Sequence, residues 1–591
     1  MKHQKRLHFP FLLFGLMGLL APPVLFAHGV IPPTLKGIPV PVTPGLLDGD
    51  TPIVVNQQAA IQLGKALFWD MSVGSDGVAC ASCHFHAGAD GRTRNLLAPG
   101  GVGNTTPTGH TFEATASGGA GGTNYTPKSA DFPFFQHLDK DNIVSSVTFI
   151  TDDVFGSSGA SLNRFAGVSA KGKETCTPVQ DPLFHQAQLN TRRVEPRNTP
   201  TVIDSAYNFR NFWDGRANNI FNGESPFGVR DVNAGIWVVK SNGTVERQTL
   251  RLENAALASQ AMAPPLSDIE MSCQGRTFAD LGRKLLAQRP LVTQKIHSED
   301  SVLGTLRHAS GTGLNNTYKA LIQAAFAPRY WSGKASFGTP LYSKTPYSQM
   351  EANFSLFFGL ALQVYQDTLV SDDSPFDTPR DDSGIPTALN AQQARGLAVF
   401  QAAHCGLCHK GPTLSAAAHP EVIGPIDPAG MVLVNRKTLN GSFSGKGIAF
   451  ALLDEGFTNT SVSPTDFDIG LGGNDPYGNP LSYSEQYRRV LLGEATQMID
   501  PVGVKSCQFE VPFTQDFPKS ALKTDPFGKD LCGYGSIYAK VPKPEVLKSE
   551  LQEKPGQGGG LAAVMGAFKI PTLRNVELTG PYMHNGGMKT L

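Results

Sequence analysis

Two stretches of the chain share one pattern of polar and apolar positions. Asn56-Gln57-Gln58-Ala59 leads through Gly64 to Phe68, and Ala391-Gln392-Gln393-Ala394 leads through Gly396 to Phe400. In each, glycine precedes phenylalanine by one helical turn, which puts a small residue and a large aromatic on the same face. The pattern predicts two helices, each able to take another helix close against its glycine. A third helix is predicted over the apolar run Phe354 to Tyr365. It stops at Ser371-Asp372-Asp373-Ser374-Pro375, which reads as a linker. Residues 99–130, rich in Gly, Thr and Ser, read as a loop insertion, and residues 218–250 as a second one.

The amino terminus has a different pattern. Lys2, Lys5 and Arg6 precede an apolar stretch from Phe9 to Phe26 and then Ala27, which predicts a secretory signal over residues 1–27. An uncleaved membrane anchor is the alternative, disfavoured because Pro22 and Pro23 interrupt the run. Over the whole chain of 591 residues, 50 basic side chains balance 50 acidic ones, which argues against a nucleic-acid partner. The length suits two domains or more.

Behind each repeated helix stands the same pentapeptide: Cys80-Ala-Ser-Cys83-His84 and Cys405-Gly-Leu-Cys408-His409. Two thiols at this spacing can add to the two vinyl groups of one haem, and the next residue places an imidazole beneath the iron. A zinc site split between the Cys pairs is disfavoured by their separation and by the histidine that follows each one. The chain therefore calls for two covalently attached c-type haems. It reads as two cytochrome-c-like domains, each opened by a helix that delivers the chain to its haem. Their expected extents are 50–375, with insertions near 95–190 and 218–250, and 376–591. The predicted fold class is mainly α, with few strands outside the insertions.

Export agrees with c-type haem and bears on Cys176, Cys273, Cys507 and Cys532, which haem does not use. An even number of thiols in an oxidising compartment favours structural disulfides. Cys507 with Cys532 closes a compatible loop and leaves Cys176 with Cys273, although three connectivities remain open. One further segment suggests chemistry. Gln260 and Glu270 flank Ala263-Pro264-Pro265-Leu266-Ser267-Asp268. A glutamate in an apolar, Pro-rich loop can carry a raised pKa and serve as acid or base near neutrality.

Several motifs occur in one order: Leu63-Gly64-Lys65-Ala66-Leu67-Phe68, the first haem motif, Arg197-Asn198-Thr199-Pro200-Thr201 and Phe212-Trp213-Asp214-Gly215-Arg216-Ala217. Gln260 to Glu270-Met271, the second haem motif, Phe568-Lys569-Ile570-Pro571-Thr572-Leu573-Arg574-Asn575 and Pro581-Tyr582-Met583-His584 follow. In this the chain resembles the bacterial di-haem cytochrome c peroxidases and the related MauG-type enzymes, from about Gln57 onward and excepting the insertions. The resemblance implies that the haem on His84 binds hydrogen peroxide. Glu270 would then shift a proton from the inner to the outer peroxide oxygen, and Gln260 would position the ligand. The haem on His409 would be the electron-transfer centre, with Trp213 as a relay between the two. Asn198, Thr579 and Pro581 match positions that hold one calcium ion, for which an amide oxygen and backbone carbonyls are suitable ligands.

Two departures from the family bear on mechanism. The family position whose histidine caps the peroxidatic iron falls on Asn190, and the nearest histidine is His185. A five-coordinate or weakly capped iron is therefore expected. The sixth ligand of the second haem, Met or Tyr in the family, would fall about fourteen residues after His584, beyond Leu591. A chain truncated at its carboxyl end is expected, with Met588 or Met583 as substitute ligands in the alternative. The resemblance implies a peroxidase using electrons from a small cytochrome c or cupredoxin, in the periplasm or at the surface of a Gram-negative bacterium, with a homodimer left open. The alternatives are a MauG-like oxidase acting on a partner protein's side chain and a non-catalytic electron carrier.

Overall fold

The structure is a computed structural model that describes residues 31–92, 96–100, 109–110, 112, 125–142, 144–423, 431–438, 448–502, 504–505 and 561–591. The expected signal segment, Cys507 and Cys532 lie outside the described residues. No described helix is long and apolar enough to cross a membrane.

Helix α1 (Gln57–Trp69) begins where the Asn56 side chain accepts the Ala59 N–H at 3.1 Å, satisfying one of the donors a helix start leaves open. Its buried stripe of Ala60, Leu63, Gly64 and Leu67 faces the core. The same core collects α2 (Ala256–Gln260), α3 (Phe278–Leu286), α4 (Tyr318–Ala325), α5 (Gln349–Ala352) and α6 (Phe354–Gln366). Every residue of α6 is buried, Ser355, Gln363 and Gln366 included, as its predominantly apolar sequence predicts. A Cβ on Gly64 would stand 2.0 Å from the Ala361 carbonyl oxygen. The backbones of α1 and α6 are therefore in contact, and only glycine fits between them. At the end of α1, the buried Asp70 carboxylate accepts the Tyr318 hydroxyl and the Leu291 N–H, both at 2.7 Å. These bonds fix the point from which the chain enters the first Cys-x-x-Cys-His turn.

Helix α7 (Ala391–Ala402) also forms, with a reciprocal cap. The Asn390 side chain accepts the Gln393 N–H at 2.9 Å, and the Gln393 side chain accepts the Asn390 N–H at 2.9 Å. None of its residues is buried, and nothing lies within 4 Å of where a Cβ on Gly396 would be. The close partner expected for Gly396 is thus not among the described residues. Short helices α8 (Pro420–Ile423) and α9 (Tyr483–Leu492) follow.

The expectation of a mainly α protein describes the core around α1 and α6 better than the chain as a whole. Strands also occur outside the insertions. Val432–Thr438 pairs antiparallel with Ile448–Asp454, flanked by Val504–Lys505 and Leu561–Ala562 in parallel, and Phe457–Thr458 pairs with Phe568–Lys569. Within the first insertion, Asn163–Val168 pairs with Glu174–Pro178. A Cys176–Cys273 disulfide spanning 97 residues pins this hairpin, and Glu174 lies beside Arg276 and Lys284.

Buried ion pairs join the earlier and later parts of the chain. Arg210 reaches Asp454 at 2.9 Å with its guanidinium 3.9 Å above the Tyr483 ring, and Arg230 Nε reaches Asp500 at 2.9 Å. Arg574 donates twice to Asp377, each bond 2.8 Å. With both charges shielded from water, such pairs hold only as complete units.

Candidate functional site

The first motif folds as a tight turn, with the Ser82 hydroxyl accepting the Ala79 N–H at 3.0 Å and the Cys80 carbonyl accepting the His84 N–H at 3.0 Å. His84 Nδ1 lies 2.8 Å from the Gly88 carbonyl. A carbonyl can only accept, so Nδ1 carries the proton and Nε2 keeps the lone pair that an iron ligand needs. His409 repeats the arrangement, with Nδ1 3.0 Å from the Leu414 carbonyl. Burial lowers the pKa of both imidazoles, which favours the neutral, ligating form. None of the four motif cysteines is engaged in a disulfide. Two thiols and one oriented imidazole on a single turn are the donor set that c-type haem requires.

One cavity of about 650 Å³ joins much of the predicted site. Cys80, Cys83, His84, Trp213, Gln260 and Glu270 all line it. Its size is within the range of cofactor sites. Gln260 ends α2, while Glu270 sits on a turn where the Ser267 hydroxyl accepts its N–H at 3.2 Å. The insertion braces that turn from outside. Ala160 N–H donates to the Ile269 carbonyl at 2.9 Å, and a Cβ on Gly159 would stand 2.0 Å from the same oxygen. Burial raises the Glu270 carboxyl above the usual range, against the pull of Arg216. Trp213 is buried and donates its indole N–H to the Asn198 carbonyl at 2.7 Å.

The calcium residues are placed less directly. Asn198 lines the cavity, its N–H donates to the His584 carbonyl at 2.7 Å, and its side-chain nitrogen donates to Phe155 at 3.0 Å. Thr579 and Pro581 lie on the turn leading to His584, and among the described residues no hydrogen bond joins either to Asn198. His185 sits on a short hairpin with Nδ1 3.0 Å from the Ala187 carbonyl, and it is not part of the cavity wall. Met583 is exposed.

Several cavity residues have no role assigned to them from the sequence. Glu195 faces Glu270, with burial and that neighbour raising its carboxyl well above the usual range. Arg216 stands inside a quoted motif, yet its position between Asp214 and the carboxyls is visible only in three dimensions. His584 stacks on Phe568 with ring centroids 3.5 Å apart, and burial lowers its pKa to about 4.

The turn, the oriented histidines and the cavity place a donor set suited to haem beside ionisable groups on one wall. Residues 174–382 match the sequence model of the family described as di-haem cytochrome c peroxidase. A cytochrome c551 peroxidase of Pseudomonas aeruginosa is 43% identical over 60 residues, which are 10% of this chain and 17% of that protein. One of Nitrosomonas europaea is 44% identical over 61 residues, again 10% and 17%. The matched stretch thus spans 17% of the length of either curated relative. A solved structure described as a MauG-like protein associated with microbial copper homeostasis is 15% identical, with 94% of this chain and 79% of that one covered at a TM-score of 0.31. Over residues 174–382 the chain is thus similar to the di-haem cytochrome c peroxidase family.

Proposed function

We propose that this protein is an exported di-haem peroxidase that reduces hydrogen peroxide to two waters with two electrons and two protons. The electrons would come from a small cytochrome c or cupredoxin. The observation that carries the proposal is the single cavity holding the Cys80–Cys83–His84 turn together with Gln260 and Glu270. An electron carrier has no use for a raised carboxyl on the wall of its haem cavity, whereas O–O cleavage needs a proton moved between the two oxygens.

Cys80 and Cys83 would tether one haem and His84 Nε2 would ligate it, with Cys405, Cys408 and His409 doing the same for the second. When bound, the first haem supplies the two-electron chemistry at the peroxide bond. The Gln260 amide orients the peroxide by hydrogen bonds. Glu270 takes the proton from the inner oxygen and returns it to the outer one, making that oxygen a leaving water. Trp213, anchored through its indole N–H, relays electrons from the second centre. Asn198, Thr579 and Pro581 hold the proposed calcium ion.

Replacing Glu270 with Gln tests the reading. Peroxide turnover with a reduced small cytochrome, followed by stopped-flow absorbance, should fall by about 10²–10⁴ while both haem spectra stay unchanged. Turnover at the wild-type rate would refute the proposal.

A further inference from the structure

The last turn of α1 carries aromatic rings that lead from the cavity to the surface. Phe68 lines the cavity and is buried. Its ring centroid lies 6.4 Å from that of His84, 5.6 Å from Tyr365 and 5.9 Å from Trp69. Each step falls within the range of interacting aromatic pairs, about 4.5–7 Å. The Trp69 indole N–H donates to the Tyr365 hydroxyl oxygen at 3.2 Å. Tyr365 is 6% exposed, whereas Trp69 is 38% exposed. His84, Phe68, Tyr365 and Trp69 thus form a continuous run of rings from the iron ligand to solvent.

The helix contact builds this run. A Cβ on Gly64 would stand 2.7 Å from the Tyr365 Cβ, so the glycine lets α6 bring Tyr365 onto the end of α1. Gln294 then fixes the chain around Trp69. Its side-chain nitrogen donates to the Trp69 carbonyl at 2.7 Å, and its side-chain oxygen accepts the Met71 N–H at 2.9 Å. Packing alone gives no reason for an indole this open to water, since large aromatic side chains are mostly buried. Indole and phenol are the side chains that give up an electron most readily, and rings in contact pass electrons by tunnelling. Trp213, the proposed relay between the haems, takes no part in this run; its ring packs against His584.

We propose that Trp69 is a second electron-entry site, at which a small phenolic reductant gives electrons to the His84 centre by way of Tyr365 and Phe68. The inference deepens the peroxidase reading and rests on it for the oxidant. A phenol stacks on the exposed indole face without needing a charged partner. Each phenol loses one electron and one proton and becomes a phenoxyl radical. Two electrons and two protons convert one hydrogen peroxide to two waters, so two phenols are consumed for each peroxide. Tyr365 and Phe68 carry the electron inward, and neither is changed when turnover is complete.

The test mixes the holoprotein and its W69F, Y365F and E270Q variants with hydrogen peroxide and a nitroso spin trap, and maps the adducts by peptide mass spectrometry. The wild type should carry the adduct on Trp69, and Y365F should carry less of it. With guaiacol as the phenol, kcat/KM should fall about tenfold or more in W69F, while oxidation of a reduced small cytochrome keeps its wild-type rate. A wild-type protein unlabelled at Trp69, or guaiacol oxidation unchanged in W69F, would overturn the route. If the cytochrome is oxidised by peroxide while Trp69 stays unlabelled, the peroxidase reading stands and the route falls. If Trp69 is labelled and W69F slows guaiacol oxidation, but E270Q turns over peroxide at the wild-type rate, the route stands and the peroxidase reading falls.

Discussion

Gly64 and Gly396 occupy the same place in two similar sequences and meet opposite surroundings. Any side chain on Gly64 runs into the backbone of α6, while Gly396 faces open space. Gly64→Ala should therefore cost about 1–3 kcal/mol by overpacking. Gly396→Ala should add about 0.5–1 kcal/mol by stiffening an exposed helix interior. Chemical denaturation of the two single variants checks both signs. Residue identity was legible at both positions, but the consequence was not, because it depends on a neighbour distant in sequence. The same contrast holds at the site. His84 and His409 were readable because attachment chemistry fixes their spacing to the cysteines. Glu195 was not, since a glutamate two positions before Arg197 resembles any solvated surface residue until Glu270 is brought against it.

Among the elements, the turn carrying Glu270 depends on a hairpin within the first insertion. The Asn163–Val168 and Glu174–Pro178 hairpin is fastened to it through Cys176–Cys273, through Ala160 on the Ile269 carbonyl, and through Glu174 on Arg276. Replacing both cysteines with serine should lower stability by about 2–4 kcal/mol. It should also speed amide exchange over residues 267–276 more than in α6. Hydrogen exchange read by mass spectrometry separates a local loosening of this turn from general destabilisation. The helices were predictable because amphipathic spacing and caps are local properties. Strands such as Val432–Thr438 were not, because their partners lie elsewhere in the chain and pairing is decided by tertiary contact.

For the molecule as a whole, buried ion pairs hold the earlier and later parts of the chain together. Arg210→Ala would leave Asp454 buried without its cation and should cost about 3–5 kcal/mol in a denaturant titration. The network also predicts an acid limit. Burial alone would raise the Asp214 carboxyl, but Arg216 and Arg197 outweigh it and hold the pKa at about 2, below the ordinary 3.8. A carboxylate with a depressed folded pKa gives stability that is complete above about pH 4 and lost as pH falls through about 2. Thermal unfolding followed from pH 5 to pH 2 should show this loss, and Asp214→Asn should flatten it.

The sequence by itself made legible the two Cys-x-x-Cys-His motifs, the core helices α1 and α6, and the resemblance to a family, since each is written in residues close together or in motifs of fixed order. Tertiary structure alone decided that His84, Gln260, Glu270 and Trp213 share one cavity, that Glu195 lines it too, and that α1 meets a partner where α7 among the described residues does not. The physical reason is range. Helix periodicity, capping and thiol spacing act within a few residues, whereas desolvation, carboxyl pairing and backbone contact depend on neighbours that only the folded chain supplies.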